Sequence, residues 1–243
     1  MTTKDKLYSN PLGHVAGFSF DQQVVDVFPD MINRSVPGYA TVVAVSATLA
    51  ERFYQDNTLI YDLGCSLGAT SIAMAGAAGN KNCRIIAVDN SEAMIDRLQS
   101  IAATRDELRD RLIPTLADIN QIEIDNASLV AMNFTLQFVA TDARDALLAK
   151  IFAGLVEGGV LILSEKIRFD DAESEQLFVD LHHDFKRGNG YSDLEISQKR
   201  DALENVLIPE TVSAHKARLL AAGFSRVEVW FQCFNFVSLV AFR

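Results

Sequence analysis

Leu59-Ile60-Tyr61-Asp62-Leu63-Gly64-Cys65-Ser66-Leu67-Gly68 is the stretch from which the fold can be read. A short apolar strand runs into a tight turn of small residues, and Ala69-Thr70-Ser71-Ile72-Ala73-Met74-Ala75 then begins a helix. Gly64 supplies a backbone conformation closed to other residues and presents no side chain to an incoming ligand. Gly68 lets the helix approach the strand. The first N–H groups of that helix have no partner within it, so a polar or anionic group is expected to dock there. The dinucleotide fingerprint has a glycine at the middle position of this turn. Here the middle position is Ser66, a departure that favours a different ligand.

Outward from this turn the chain alternates strand and helix. A helix over 68–78 and a turn at Gly79-Asn80-Lys81-Asn82 lead to Cys83-Arg84-Ile85-Ile86-Ala87-Val88, a continuous apolar strand of the kind buried on both faces of a parallel sheet. It ends at Asp89-Asn90, with Asn90 or Ser91 capping the next helix, to about 103. A charged surface segment over 105–111 follows, then a weaker strand over 112–117, which Pro114 places nearer an edge or shortens. A fourth strand over 128–132 ends at Asn133. A helix over 141–155 carries Asp142 and Asp145 in its first turn and Lys150 in its last, matching the helix dipole. Glu157-Gly158-Gly159 turns the chain into a fifth strand over 160–164. The rhythm predicts an α/β fold with a doubly wound, Rossmann-like, mostly parallel sheet.

The flanks are less regular. Residues 1–20 read as an irregular entry segment, followed by a helix over 22–28 and a second short helix opened by Pro29. Residues 28–39 read either as a connector or as a flap that brings Tyr39 to the turn at Gly64. Residues 40–53 have helical periodicity. Helices over 172–186 and 194–206 form an insertion at 165–209, and a helix over 211–222 ends at Gly223. Aromatic and β-branched runs over 224–229 and 231–242 predict a closing antiparallel pair. The organisation expected is one domain over 1–243, with a lid at 1–39 and the insertion within it.

Of 243 residues, 49% are hydrophobic, enough for a large core, and the formal net charge is −10. An acidic balance argues against direct nucleic-acid binding, which depends on basic phosphate contacts. Three cysteines, Cys65, Cys83 and Cys233, fit neither a disulfide framework nor a zinc site. No apolar run reaches membrane-spanning length, and Met1-Thr2-Thr3-Lys4-Asp5-Lys6 lacks a signal-peptide core, so a cytoplasmic protein without membrane contact is expected.

Ligands of open α/β sheets lie beyond the carboxyl ends of the strands. Asp62, Asp89, Asp118 and Asn133 close successive strands on that rim. Asp89, 25 residues after Gly64, suits both hydroxyls of a ribose. Asp118 suits the exocyclic amine of a purine, and Ile119 either covers a ring face or packs in the core.

On these residues, and on Leu155-x-x-Gly158-Gly159-x-Leu161 and the closing strand pair, the sequence resembles the class I S-adenosylmethionine-dependent methyltransferases over about 40–243. Longer blocks carry a closer resemblance over nearly the whole chain. Among them are Phe28-Pro29-Asp30-Met31-Ile32, Arg34-Ser35-Val36-Pro37-Gly38-Tyr39, Asn133-Phe134-Thr135-Leu136-Gln137-Phe138, His182-His183-Asp184-Phe185-Lys186-Arg187 and Glu195-Ile196-Ser197-Gln198-Lys199-Arg200. These blocks are similar to the bacterial carboxy-S-adenosylmethionine synthase family. The chain departs from the family at its start, at 71–78 and at 104–116.

That resemblance implies a dimeric enzyme that takes S-adenosyl-L-methionine and prephenate and forms carboxy-S-adenosyl-L-methionine and phenylpyruvate. The product is used by a separate enzyme that modifies the tRNA wobble uridine. It implies cofactor contacts at Tyr39, Gly64, Cys65, Ser66, Asp89, Asn90, Asp118, Ile119 and Asn133, and a carboxylate contact at Arg200, with Tyr39 and Arg200 nearest the chemistry. A sulfonium acidifies its methyl group, and the resulting ylide can capture carbon dioxide leaving prephenate. Such a route needs no metal, only cations that hold carboxylates.

Lys186, Arg187, Lys199 and Arg200 are the dense positive cluster of the chain, and read either as a solvated face or as that anion site. His182 and His183 point about 100° apart on a helix and are expected not to face one site together. His14 and His215 are background. Cys83 and Cys233 read as strand packing, and Trp230 to Phe236 as core or subunit interface. Two rival functions are a small-molecule methyltransferase that uses S-adenosyl-L-methionine, and a catalytically silent cofactor-binding partner.

Overall fold

The computed structural model describes residues 3–15, 17–78 and 83–243; the turn expected at Gly79-Asn80-Lys81-Asn82 lies outside them. In chain order the elements are α1 (Gln22–Ser35), α2 (Tyr39–Phe53), β1 (Leu59–Leu63), α3 (Ala69–Ala77), β2 (Arg84–Asp89), α4 (Glu92–Ala103), α5 (Asp106–Arg109), β3 (Leu112–Leu116), β4 (Ala127–Asn133), a 3-10 turn (Leu136–Phe138), α6 (Arg144–Gly154), β5 (Leu155–Lys166), α7 (Ala172–Gly188), α8 (Asp193–Leu203), α9 (Val212–Ala221), β6 (Arg226–Cys233) and β7 (Phe236–Phe242).

The strands form one seven-stranded sheet in the order β3-β2-β1-β4-β5-β7-β6. β1 to β5 are parallel, β7 is antiparallel to β5, and β6 pairs antiparallel with β7. Alternate strand residues bury on opposite faces, because a strand repeats every two residues. Tyr61, Leu63, Val130, Met132, Leu161 and Leu163 pack on the face that carries Leu147, Ile151 and Leu219 of α6 and α9. Ile60, Ile85, Leu129 and Ile162 pack against Met74, Ile95 and Leu98 of α3 and α4. β3 is one edge strand and β6 the other, and the edge position accommodates Pro114.

Several boundaries differ from expectation. Pro29 does not open a helix. It sits inside α1, whose buried Val24, Val25, Phe28 and Met31 close on Met94 of α4 and carry the helix past the missing N–H. α6 begins at Arg144, so Asp142 precedes it and Asp145 alone is acidic in its first turn. Lys150 lies outside its last turn, and its Nζ donates to the carbonyls of Ile119 and Asn120 at 2.8 and 2.9 Å. Lys150 thus anchors a rim loop rather than a helix end. The final hairpin turns at Phe234-Asn235, not at Trp230; the expected break is a register shift between Val229 and Phe231. Tyr39 is already the first residue of α2.

Arg144 is fully buried and donates to the carbonyls of Val139, Gln137 and Ile208, while pairing with Glu210. Arg218 pairs with the same carboxylate at 2.7 Å, and these hydrogen bonds hold Glu210 at about 2. The pair of arginines ties the loop after β4 to the chain before α9.

Candidate active site

Asp62, Asp89, Asp118 and Asn133 border one cavity of about 500 Å³ at the carboxyl rim of the sheet, within the usual range of small-molecule sites. Every residue expected to touch the ligand lines it: Tyr39, Gly64, Cys65, Ser66, Asp89, Asn90, Asp118, Ile119, Asn133 and Arg200. The rim of β1, β2 and β4 therefore meets the insertion after β5 across a single space.

The turn after β1 is built for close approach. Gly64 and Gly68 both have φ of 76°, and Ser66 takes a left-handed φ of 50° without being glycine. The middle residue of the turn keeps the special backbone conformation though it carries a side chain. Its Oγ rests on Met94 Sδ at 3.4 Å, and its N–H donates to Asp89 Oδ2 at 2.8 Å. A Cβ on Gly64 would overlap the Thr135 side chain. Gly64→Ala is expected to cost about 1–3 kcal/mol from positive φ and that overlap, seen as a lower urea midpoint with unchanged slope.

At the start of α3 an internal carboxylate takes one of the first-turn N–H groups. Asp62, almost fully buried, accepts the Ser71 hydroxyl and its backbone N–H. Burial raises the Asp62 carboxyl to about 6 despite these bonds. Burial, then Asp62, also raises the Tyr39 phenol.

Asp89 accepts Ser66 N–H on one oxygen and Ser91 N–H, at 2.9 Å, on the other. Each oxygen keeps a lone pair for a ribose hydroxyl. Ser91, not Asn90, caps α4. Asp118 Oδ1 accepts Asn120 N–H and its side-chain amide, which fixes the loop that presents Ile119. Asn133 Oδ1 accepts the Ser164 hydroxyl at 2.6 Å, and its amide reaches Ser46 and Thr70, both at 3.3 Å. Cys65 is buried, and burial raises its thiol, so the turn uses its backbone.

Part of the lining is cationic. Lys166, Lys186, Lys199 and Arg200 form it. Arg187 does not: it turns outward to Asp184 and Asp193 at 2.7 and 2.8 Å. Lys166 was not foreseen, since it closes a strand far in sequence from the Lys/Arg pairs. His182 and His183 both reach this wall, contrary to the helical-angle expectation, because Val179, His182, His183 and Lys186, at i, i+3, i+4 and i+7, share the one broad face of α7 that lines the cavity. His182 donates from Nε2 to the Ser35 carbonyl at 2.8 Å and packs edge-on against Phe236. Burial holds its imidazole down to about 3.

Glu165 was not foreseen either. Fully buried, it accepts Leu136 and Gln137 N–H at 2.9 Å each and so holds the 3-10 turn that forms one side of the cavity. Burial lifts its carboxyl to about 8. A polar residue inside an apolar strand, one position beyond the run at 160–164, is the sequence signal that marks it.

The sheet order and the acidic rim define a class I S-adenosyl-L-methionine-dependent methyltransferase fold. Residues 60–159 match the family model of a methyltransferase domain. Human N-acetylserotonin methyltransferase in complex with S-adenosylmethionine has a TM-score of 0.62 to this chain, at 16% identity over 91% of this chain and 55% of its own. Magnesium protoporphyrin IX methyltransferase from Synechocystis, with bound S-adenosylmethionine, has a TM-score of 0.58 at 19% identity over 90% of this chain and 83% of its own. At full length the likeness is narrower. Carboxy-S-adenosyl-L-methionine synthases of Vibrio cholerae and Trichlorobacter lovleyi are each 54% identical over all of this chain and over 98% and 100% of their own length. The chain belongs to the carboxy-S-adenosyl-L-methionine synthase family. Among the described residues, no group of side chains is arranged to hold a metal and no helix is long and apolar enough to cross a membrane.

Proposed function

We propose that this chain converts S-adenosyl-L-methionine and prephenate to carboxy-S-adenosyl-L-methionine, phenylpyruvate and water, the ring hydroxyl of prephenate leaving as the carboxyl group departs and taking up the proton that the methyl group loses. The observation that carries the reading is the pairing, in one cavity, of an acidic rim with a wall of lysines and arginine. The rim suits a nucleoside: Asp89 for the ribose, Asp118 and Ile119 for the base, and the Gly64 turn with Asn133 and Tyr39 for the remainder. The cationic wall suits a dicarboxylate donor. An ordinary small-molecule methyltransferase has no need of four cations lining the cavity that holds its cofactor.

The protein's part is positioning and electrostatics. Fixed backbone and carboxylate acceptors hold the sulfonium nucleoside, and cations hold the donor so that the departing carboxyl carbon stays beside the methyl group. Arg200, by its planar fork, grips the carboxylate after transfer. Residues 1–39 act as a lid. Phe18 and Phe20 line the cavity, Phe18 N–H donates to the Ala202 carbonyl, and Gln198 donates to the Tyr8 and Asn10 carbonyls. Residues 165–209 form an insertion within one domain. We further propose a cytoplasmic homodimer whose product passes to a separate tRNA-modifying enzyme.

Mass spectrometry of the nucleoside released from purified protein tests the reading. A species heavier than S-adenosyl-L-methionine by one carboxylate, formed only when prephenate is supplied, is expected. S-adenosylhomocysteine with methyl loss to an acceptor favours a methyltransferase. Absence of turnover with prephenate and with acceptors favours a silent partner.

A further inference from the structure

Lys186 and Lys199 are both more than nine-tenths buried, on different helices, and both line the cavity. Lys199 Nζ has a long contact, 3.4 Å, to Ser35 Oγ and sits 6.0 Å over the Phe18 ring. Among the described residues neither ammonium group is paired with a carboxylate. Asp5, the carboxylate that attracts both, accepts the Tyr191 hydroxyl at 2.6 Å. A buried charge without a partner is costly. Two of them facing one cavity mean that the partner arrives with the ligand.

We propose that Lys186 and Lys199, with Lys166 at their edge, form the subsite for the carboxylate that the donor keeps, leaving Arg200 for the carboxylate that is transferred. The assignment rests on the function proposed above and divides the cationic wall in two. Lys199 and Arg200 are neighbours on α8, about 100° apart, one buried and the other exposed. They therefore address different parts of the donor.

The groups facing these lysines set their protonation. Lys186 meets Lys199 from α8, Lys166 from β5, Asp5 from the entry segment and His182 and His183 on its own helix. Lys199 meets Asp5 and Arg34. Burial first, then these cations, holds Lys186 down to about 7, and burial holds Lys199 down to about 8. An arriving carboxylate favours the charged form of both, so binding draws protons from solvent.

Phenylpyruvate, which carries only the retained carboxylate, is the probe. Lys186→Met and Lys199→Met are expected to raise its inhibition constant and the prephenate KM roughly tenfold to hundredfold, with the KM for S-adenosyl-L-methionine within about twofold of wild type. The melting temperature of the free variants stays level or rises, since removing an unpaired buried charge relieves a cost. Arg200→Ala leaves phenylpyruvate inhibition unchanged. Calorimetry of phenylpyruvate binding to the wild-type protein, in buffers of different ionisation enthalpy, needs no variant. It should show proton uptake at pH 8 that vanishes near pH 6.

An unchanged inhibition constant in both variants, lower melting temperatures with equal losses for both substrates, or no proton uptake at pH 8 would each overturn the subsite. Tight phenylpyruvate binding with proton uptake, but no carboxylated nucleoside from prephenate, upholds the subsite and defeats the proposed reaction.

Discussion

Asp89→Ala is expected to weaken S-adenosyl-L-methionine binding by roughly a hundredfold or more. The carboxylate has two tasks. Toward the protein, it accepts Ser66 and Ser91 N–H and thereby locks the turn after β1 to the start of α4. Toward the ligand, it offers two remaining lone pairs to ribose hydroxyls. Hydrogen bonds to a charged group contribute about 1.5–3 kcal/mol each. Losing two on the ligand side therefore costs about 3–6 kcal/mol, before the loosened Ser66 turn is counted. Titration calorimetry with S-adenosyl-L-methionine reads the effect directly. Asp89→Asn restores the size but presents an amide, and should recover little. Affinity within threefold of wild type in the alanine variant would remove Asp89 from the nucleoside site.

Arg200→Ala is expected to discriminate between two nucleosides. Its side chain is two-thirds exposed and Asp201, its ion-pair partner among the described residues, is 3.6 Å away, so the free protein loses little when it is removed. The carboxylated product loses a forked, charge-assisted contact. Retention of carboxy-S-adenosyl-L-methionine should fall roughly tenfold to hundredfold, while that of S-adenosylhomocysteine stays within about threefold. Competition binding of the two nucleosides measures the ratio. Equal losses for both would strip Arg200 of a carboxylate-specific role.

The parallel sheet and its ligand rim were legible because each depends on local pattern. Continuous apolar runs at 59–63 and 84–88 announce strands buried on both faces, and a polar residue closing each one marks the rim. Asp62, Asp89, Asp118 and Asn133 all border the cavity for that reason. What the pattern could not carry was side-chain direction across long separations. Lys186 and Arg187 are adjacent, yet one enters the cavity and the other pairs with Asp184 and Asp193. Lys166 joins the wall only because β5 runs on beyond Ser164. Asp62 accepts the hydroxyl of Ser71 across the turn, a contact the turn pattern alone does not announce. Pro29 shows the limit of propensity: tertiary burial of Phe28 and Met31 against Met94 outweighs one missing hydrogen bond.

The nucleoside formed from prephenate carrying isotope in its ring carboxylate is the most direct test of carboxyl transfer within this cavity. Mass spectrometry should find the label in carboxy-S-adenosyl-L-methionine and the unlabelled skeleton in phenylpyruvate. Label recovered only as free bicarbonate, with the nucleoside unchanged in mass, would contradict the account.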